Sequence, residues 1–339
     1  MILRMPEYCA DFRCTADKCS DSCCIGWEID IDSETARRYD ETGGEFGERL
    51  RKNITSGEVR SFILDKQERC PFLNKSNLCE IIINLGEESL CQICSDHPRY
   101  FEWFDGIKEG GIGLCCEEAA RIILSQSKPM TCAAYEILDE TCDEYDAELY
   151  HFLFAAREKI LEHIQDASIP LKNRLGSILR FAEELQLCVD NACYELAEIT
   201  AEQSEFVPDL KAILEFMLTI EPIDENWIPY IRDCISNFSG TSKALAEFEE
   251  AAPETEVYLQ NIAVYFVWRY FLKGVFDGEL LSRIRVMAVS TELLRYMFCC
   301  KWCGNRSVLL ADCVEIAKNY SKEIEYCEEN MAALADFLC

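Results

Sequence analysis

Through the second half of the chain, apolar residues return every three or four positions. Leu149, Phe152, Leu153, Ala156, Ile160 and Ile164 form one such series. Cys313, Ile316, Tyr320, Ile324, Cys327, Met331, Leu334 and Leu338 form another. Each marks the buried face of an amphipathic helix. Two of the scattered cysteines thereby fall on core positions, where a free thiol behaves as a small hydrophobe. Pro208 and Pro253 stand where a first helical turn would begin, a place that tolerates proline. "VYLQNIAVYFVWRYFLKGVF" (257–276) is apolar nearly all round but is broken by Gln260, Asn261, Arg269 and Lys273. It predicts a buried helix and not a membrane span.

The first part has few long periodic segments. Residues 33–42 predict a short helix ended by Gly43 and Gly44, "VRSFILD" (59–65) a strand, and "CCEEAARIILS" (115–125) a helix. Polar residues and Pro129 in "SQSKPMT" (125–131) interrupt the pattern and place a boundary there. The expected fold is mainly α. A loop-rich, cysteine- and metal-binding N-terminal domain (1–127) packs on a C-terminal helical bundle (128–339). No internal repeat or low-complexity stretch is present.

Composition adds two constraints. With 339 residues, 49% of them hydrophobic, a sizeable core is easily buried. The formal charge of −29 disfavours nucleic acid and anionic membranes as partners and steers basic, lysine-bearing ones toward the surface. Twenty-two cysteines leave two options, a disulfide scaffold or a metal site. The opening "MILRMPEYCADFRC" shows no apolar run after a basic segment, so export is not expected. A cytoplasmic, reducing compartment then favours metal.

Eleven cysteines precede residue 120, in tight clusters. "CTADKCSDSCCIGWEID" (14–30) is followed by "RCPFLNKSNLCEI" (69–81), "LGEESLCQICSDHPR" (85–99) and "GLCCEEAAR" (113–121). The short spacings bring Cys19 near Cys23, Cys70 near Cys79, and Cys91 near Cys94. Thiolates so grouped bind zinc or iron–sulfur centres. The CxxxCxxC of radical S-adenosylmethionine enzymes is absent, because position 26 is glycine where Cys19 and Cys23 would fit. The successive CxxC steps of ferredoxins are absent too. With only His97, His151 and His163, a Cys-Cys-His-His finger fails. Cys9 lacks a partner at ligand spacing. The late "CCKWC" (299–303) follows a helical pattern, so a thioredoxin-type role lacks its context.

Phe12, Cys14, Cys19, Asp21, Cys23, Cys24, Gly26, Trp27 and Asp32 resemble the opening pattern of the flagellin lysine-N-methylases. So do "CPFL" (70–73), Leu78-Cys79 with Ile81, Leu85-Gly86-Glu87, Cys94, Pro98-Arg99 and "CEEAAR" (116–121). The helix near 257–276 and "SKEIEYCEENMAALADFL" (321–338) resemble later family segments. His97 and Glu117 depart from the family pattern, and Cys91 and Cys115 are extra thiols beside motif positions. The resemblance implies methyl transfer from S-adenosylmethionine to lysines of a flagellin-like protein, with a four-iron (4Fe-4S) cluster held by cysteines. A larger set of zinc- or iron-chelating proteins shares the cysteine core. A non-catalytic zinc or iron protein with a docking or metal-handling role is therefore the alternative.

The expected metal set is Cys14, Cys19, Cys23, Cys24, Cys70, Cys79, Cys94 and Cys116, of which about four can serve one cubane. Methylation needs a neutral amine, hence a base. Asp21 and Glu118 are the leading candidates among the acids near the thiols, which include Asp30, Asp32, Glu87 and Glu117. Trp27 is placed to stack on the cofactor or to shield the metal. Arg99 or Arg121 could clamp the cofactor carboxylate. No glycine-rich dinucleotide turn is evident, and "ETGGEFG" (41–47) lacks a preceding strand.

Overall fold

The computed structural model describes residues 1–104, 106–139, 145–200, 205–237 and 241–339. The chain forms two compact units that interleave along the sequence. One holds 12–100 and 116–118; the other holds 1–11, 101–115 and 119–339. The units therefore do not divide at 127. Ile2–Pro6 pairs in parallel with Ile107–Ile112 and antiparallel with Cys132–Glu136, which draws the first residues and 101–115 to the helical unit.

The thiol-bearing unit is built from short pieces. Asp32 caps the helix Ser33–Glu41 by accepting the Thr35 N–H at 2.8 Å. Gly43 and Gly44 end that helix as expected but start another at once, Gly44–Lys52. Gly47 is required inside it, since an added Cβ would lie 1.9 Å from the Thr42 carbonyl oxygen. The glycines of 41–47 thus serve a tight helix–helix turn. The strand expected over 59–65 shrinks to Arg60–Ser61, because its partner is only Asp30–Ile31. Two further short helices, Glu80–Leu85 and Gln92–Asp96, complete the unit. Its core contains Ile29, Ile31, Tyr39, Leu50, Phe62, Phe72 and Ile81, together with Cys70 and Cys91.

The other unit is mainly α. The helix Ala147–Ile164 buries all six residues of the series that begins at Leu149. Thr255–Tyr270 buries eight consecutive residues, 261–268, so it is enclosed nearly all round. Leu281–Asn305 is similar, with residues 286–294 all buried. The late series is split between Leu310–Glu325 and Glu328–Phe337. Cys313 is fully buried in it, whereas Cys327 falls at the break and is half-buried, so it is no core residue.

A four-stranded sheet in the order Arg99–Phe104, Ile107–Ile112, Ile2–Pro6, Cys132–Glu136 accompanies these helices. The half beyond 130 is therefore not wholly helical. Ile2–Pro6 joins this sheet by pairing with segments more than a hundred residues away, and local periodicity carries no trace of that. Glu109 on the sheet accepts two bonds from the fully buried Arg157, at 2.5 and 2.8 Å, and one from Arg4 at 3.0 Å. The Arg157 guanidinium lies 4.4 Å from the Trp268 ring centre, and the Trp268 indole N–H donates to the Gly110 carbonyl at 3.0 Å. Among the described residues no helix is long and apolar enough to cross a membrane.

Candidate functional site

All eight cysteines of the expected metal set lie in the same compact unit. Within it the structure sorts them. Cys24, Cys79 and Cys94, all half-buried, pack on the core that contains Cys70 and Cys91. The Cys70 N–H donates to the Cys24 carbonyl at 2.8 Å and locks two of the sequence clusters together. Cys79 and Cys91 each stand immediately before a short helix, Glu80–Leu85 and Gln92–Asp96. Cys23 is exposed as a residue, yet its thiol hydrogen-bonds with that of Cys24, which raises its pKa.

The electrostatics show how crowded these sulfurs are. Burial pushes the Cys70 thiol up to about 11, with Cys79 and Cys91 adding to the shift. Burial also raises Cys79. Cys91 and Cys94 share a thiol hydrogen bond that favours a thiolate on Cys91 and keeps the proton on Cys94. The Tyr39 phenol is raised by burial and by Cys91, Cys94 and Cys79 beside it. Several thiolates cannot coexist in such a place without a cation, and a soft cation is what would reverse these shifts. The donor types therefore fit zinc or iron. Among the described residues, however, no three His, Cys, Asp or Glu side chains are arranged to hold one ion. Two thiol pairs meet, Cys23 with Cys24 and Cys91 with Cys94.

Cys14, Cys19 and Cys116 stand differently. Cys14 is exposed, and its sulfur accepts the Ala16 N–H at 3.4 Å. The Cys19 thiol faces Glu117 Oε2 at 3.7 Å, and burial raises its pKa. Glu117 also accepts the Ser20 N–H at 2.8 Å and the Ser20 hydroxyl. Cys116 is half-buried just before the helix Glu117–Leu124. Sequence reasoning set Cys91 aside as an extra thiol and counted Glu117 among the candidate bases without expecting its contact with Cys19. The signal for Cys91 was present in its CxxC spacing to Cys94. The signal for Glu117 was its place directly after Cys116 among the acids near the thiols.

Of the other expected residues, Trp27 is the best placed. Its indole N–H donates to the Cys23 carbonyl at 2.6 Å, and its ring centre lies 5.6 Å from that of His97. It also lines an open groove of about 350 Å³ with Glu28, Phe62, Ile63, Leu64 and Glu68. Asp21 accepts the Ser22 N–H at 2.7 Å. Glu118 lies in the first turn of Glu117–Leu124. Arg99 sits 5.2 Å from the Phe12 ring centre. Arg121 is exposed and lies on the helix Glu117–Leu124. The late pair Cys300 and Cys303 lies inside the helix Leu281–Asn305, as its periodicity implied.

These features define a mainly α protein carrying a thiol-rich unit of loops and short helices. The FliB lysine N-methylase C-terminal domain matches residues 157–338, more than half of the chain, and the chain belongs to that family. It is similar to the lysine-N-methylase of Salmonella typhimurium, at 26% identity over 213 residues, covering 58% of this chain and 51% of that protein. It is also similar to the lysine-N-methylase of Salmonella choleraesuis, at 25% over 213 residues with the same coverage of 58% and 51%. The flagellar biosynthetic protein FliU of Salmonella muenchen is 29% identical over 134 residues, 37% of this chain and 78% of that protein. The chain spans about half the length of the curated lysine-N-methylases it matches. No solved structure matches it.

Proposed function

We propose that the protein transfers methyl groups from S-adenosylmethionine to lysine side chains of flagellin. Membership of the FliB lysine N-methylase family carries this reading. The flagellar name of one relative supports the substrate. In the reaction the sulfur–methyl bond breaks as a carbon–nitrogen bond forms, and the amine must have lost its proton beforehand. Asp21 and Glu118 are the proposed bases, and both lie in the thiol-bearing unit. Arg99, in the same unit, is the proposed partner of the cofactor carboxylate, and Trp27 of its adenine or sulfonium. Arg121 is the proposed alternative clamp.

We further propose that Cys24, Cys70, Cys79, Cys91 and Cys94 supply the ligands of a 4Fe-4S cluster or a zinc ion. When bound, such a centre supplies positive charge and an electrophilic metal. A cytoplasmic location accords with reduced thiols. The test is incubation with labelled S-adenosylmethionine and flagellin from the same source. Label on flagellin lysines is expected. Metal binding without any transfer of label would leave a non-catalytic metalloprotein.

A further inference from the structure

We propose that the groove beside Trp27 is the docking groove for the lysine-bearing surface of the protein substrate, and that it takes up a lysine side chain. This deepens the methylase reading and rests on it. The groove lies wholly within the thiol-bearing unit. Trp27 forms one wall. Its indole N–H is tied to the Cys23 carbonyl, so the ring is held in place, and presenting it to a ligand costs little conformational entropy. Phe62, Ile63 and Leu64 supply further apolar lining. Ile63 is 47% exposed and nearby Val59 68% exposed, leaving apolar surface that nothing in the unit covers.

Glu28 and Glu68 give the groove its charge. The Ser61 hydroxyl donates to Glu28 Oε1 at 2.9 Å, which orients that carboxylate. Cations close in sequence are engaged elsewhere. Arg60 is bidentate to Asp40 at 2.8 and 2.9 Å, and Arg69 donates to the Asn74 carbonyl and the Asn77 side chain. Among the described residues neither Glu28 nor Glu68 forms an ion pair with Lys or Arg. The groove thus offers an aromatic face, aliphatic lining and two uncompensated carboxylates, on a chain of net charge −29.

Lysine matches each part. Its four methylenes cover apolar surface while its ammonium reaches carboxylates and an indole face. An ammonium so held stays protonated, because nearby carboxylates favour the charged form. The groove is therefore where lysine is caught, and the neutral amine must arise at the step that follows.

The test is direct binding of flagellin to the full chain without S-adenosylmethionine, at low and high salt. The Glu28→Gln/Glu68→Gln double variant should bind roughly 3- to 10-fold more weakly at low salt, with the gap closing at high salt. Ile63→Ser should weaken binding at both salts. Flagellin acetylated on its lysines should bind weakly even to the unaltered protein. Circular dichroism melts confirm that each variant is folded. Unaltered affinity in both variants, or equal binding of acetylated flagellin, overturns the proposal. Methyl transfer measured on the same samples separates the two readings. Binding through the groove without transfer would sink the methylase reading alone. Transfer with an unchanged KM in both variants would sink the groove alone.

Discussion

Asp32 and Gln92 are sixty residues apart, yet the Asp32 carboxylate Oδ2 accepts the Gln92 N–H at 2.9 Å. Its other oxygen caps Ser33–Glu41 at Thr35, 2.8 Å away. One carboxylate therefore closes the N-termini of two helices, and the second is the helix that carries Cys94 and follows Cys91. Burial alone would raise the Asp32 pKa, but the two backbone N–H groups outweigh it and the net shift is downward.

Replacing Asp32 with alanine removes both caps. The expected loss is about 1–3 kcal/mol of unfolding free energy, on the scale of one to two lost helix caps. The sign with pH follows from the depressed carboxyl. Its stabilisation is complete above the unfolded value of about 4 and disappears as pH falls through the lower folded value. Urea titrations at pH 7 and at successively lower pH check this: the two proteins should differ at pH 7, and the difference should shrink as the pH falls.

The buried Glu109 cluster yields an ordering of variants. Glu109→Leu removes both Glu109 hydrogen bonds of the fully buried Arg157, leaving it Glu158 at 3.7 Å, and should cost about 3–5 kcal/mol. Arg157→Met should cost less, on the order of 1–3 kcal/mol, because Glu109 keeps its bond to Arg4. The double variant should recover much of the loss. Chemical denaturation gives the three values, and equal costs for the two single changes would show that Arg4 contributes nothing.

How much of this was written in the sequence depends on how local the signal is. The helix Ala147–Ile164 and the enclosed helix Thr255–Tyr270 were legible because burial sets a repeat within each segment. The sheet was not, since Ile2–Pro6 finds its partners at 107–109 and 132–136. At the site, the thiols were legible as clusters and Cys91 with Cys94 as neighbours by their CxxC spacing, whereas the Cys23–Cys24 hydrogen bond was not. Cys91 looked redundant by motif, but in three dimensions it is the most buried thiol of its cluster and the partner of Cys94. Cys14 looked equivalent to its neighbours by motif and is exposed.

That difference sets a test of the metal set. If the sulfurs packed on the core hold the metal, Cys91→Ser and Cys70→Ser should each remove most zinc or iron from anaerobically purified protein. Cys14→Ser should leave the content within about twofold, since an exposed thiol with a local backbone partner contributes little to a closed site. Elemental analysis reads the result directly. Metal lost from Cys14→Ser and retained in Cys91→Ser would move the site to the 14–23 loop.

Trp27 separates metal from catalysis. Its indole is bonded to the Cys23 backbone, its ring lies beside His97, and its face borders the groove. Its indole N–H is a donor without a lone pair to offer a metal, so Trp27→Ala should retain its metal. It should nevertheless methylate flagellin more slowly, by about fivefold, if the ring contributes a cation or stacking contact on the order of 1 kcal/mol. Metal content and labelled-methyl incorporation are measured on the same preparation. Loss of metal along with activity would assign Trp27 to shielding the thiols. Full activity with metal retained would remove it from the substrate path. Phe at this position provides the control. It preserves an aromatic face while losing the bond to Cys23, so intermediate activity is the outcome expected if the face and its fixed orientation both matter.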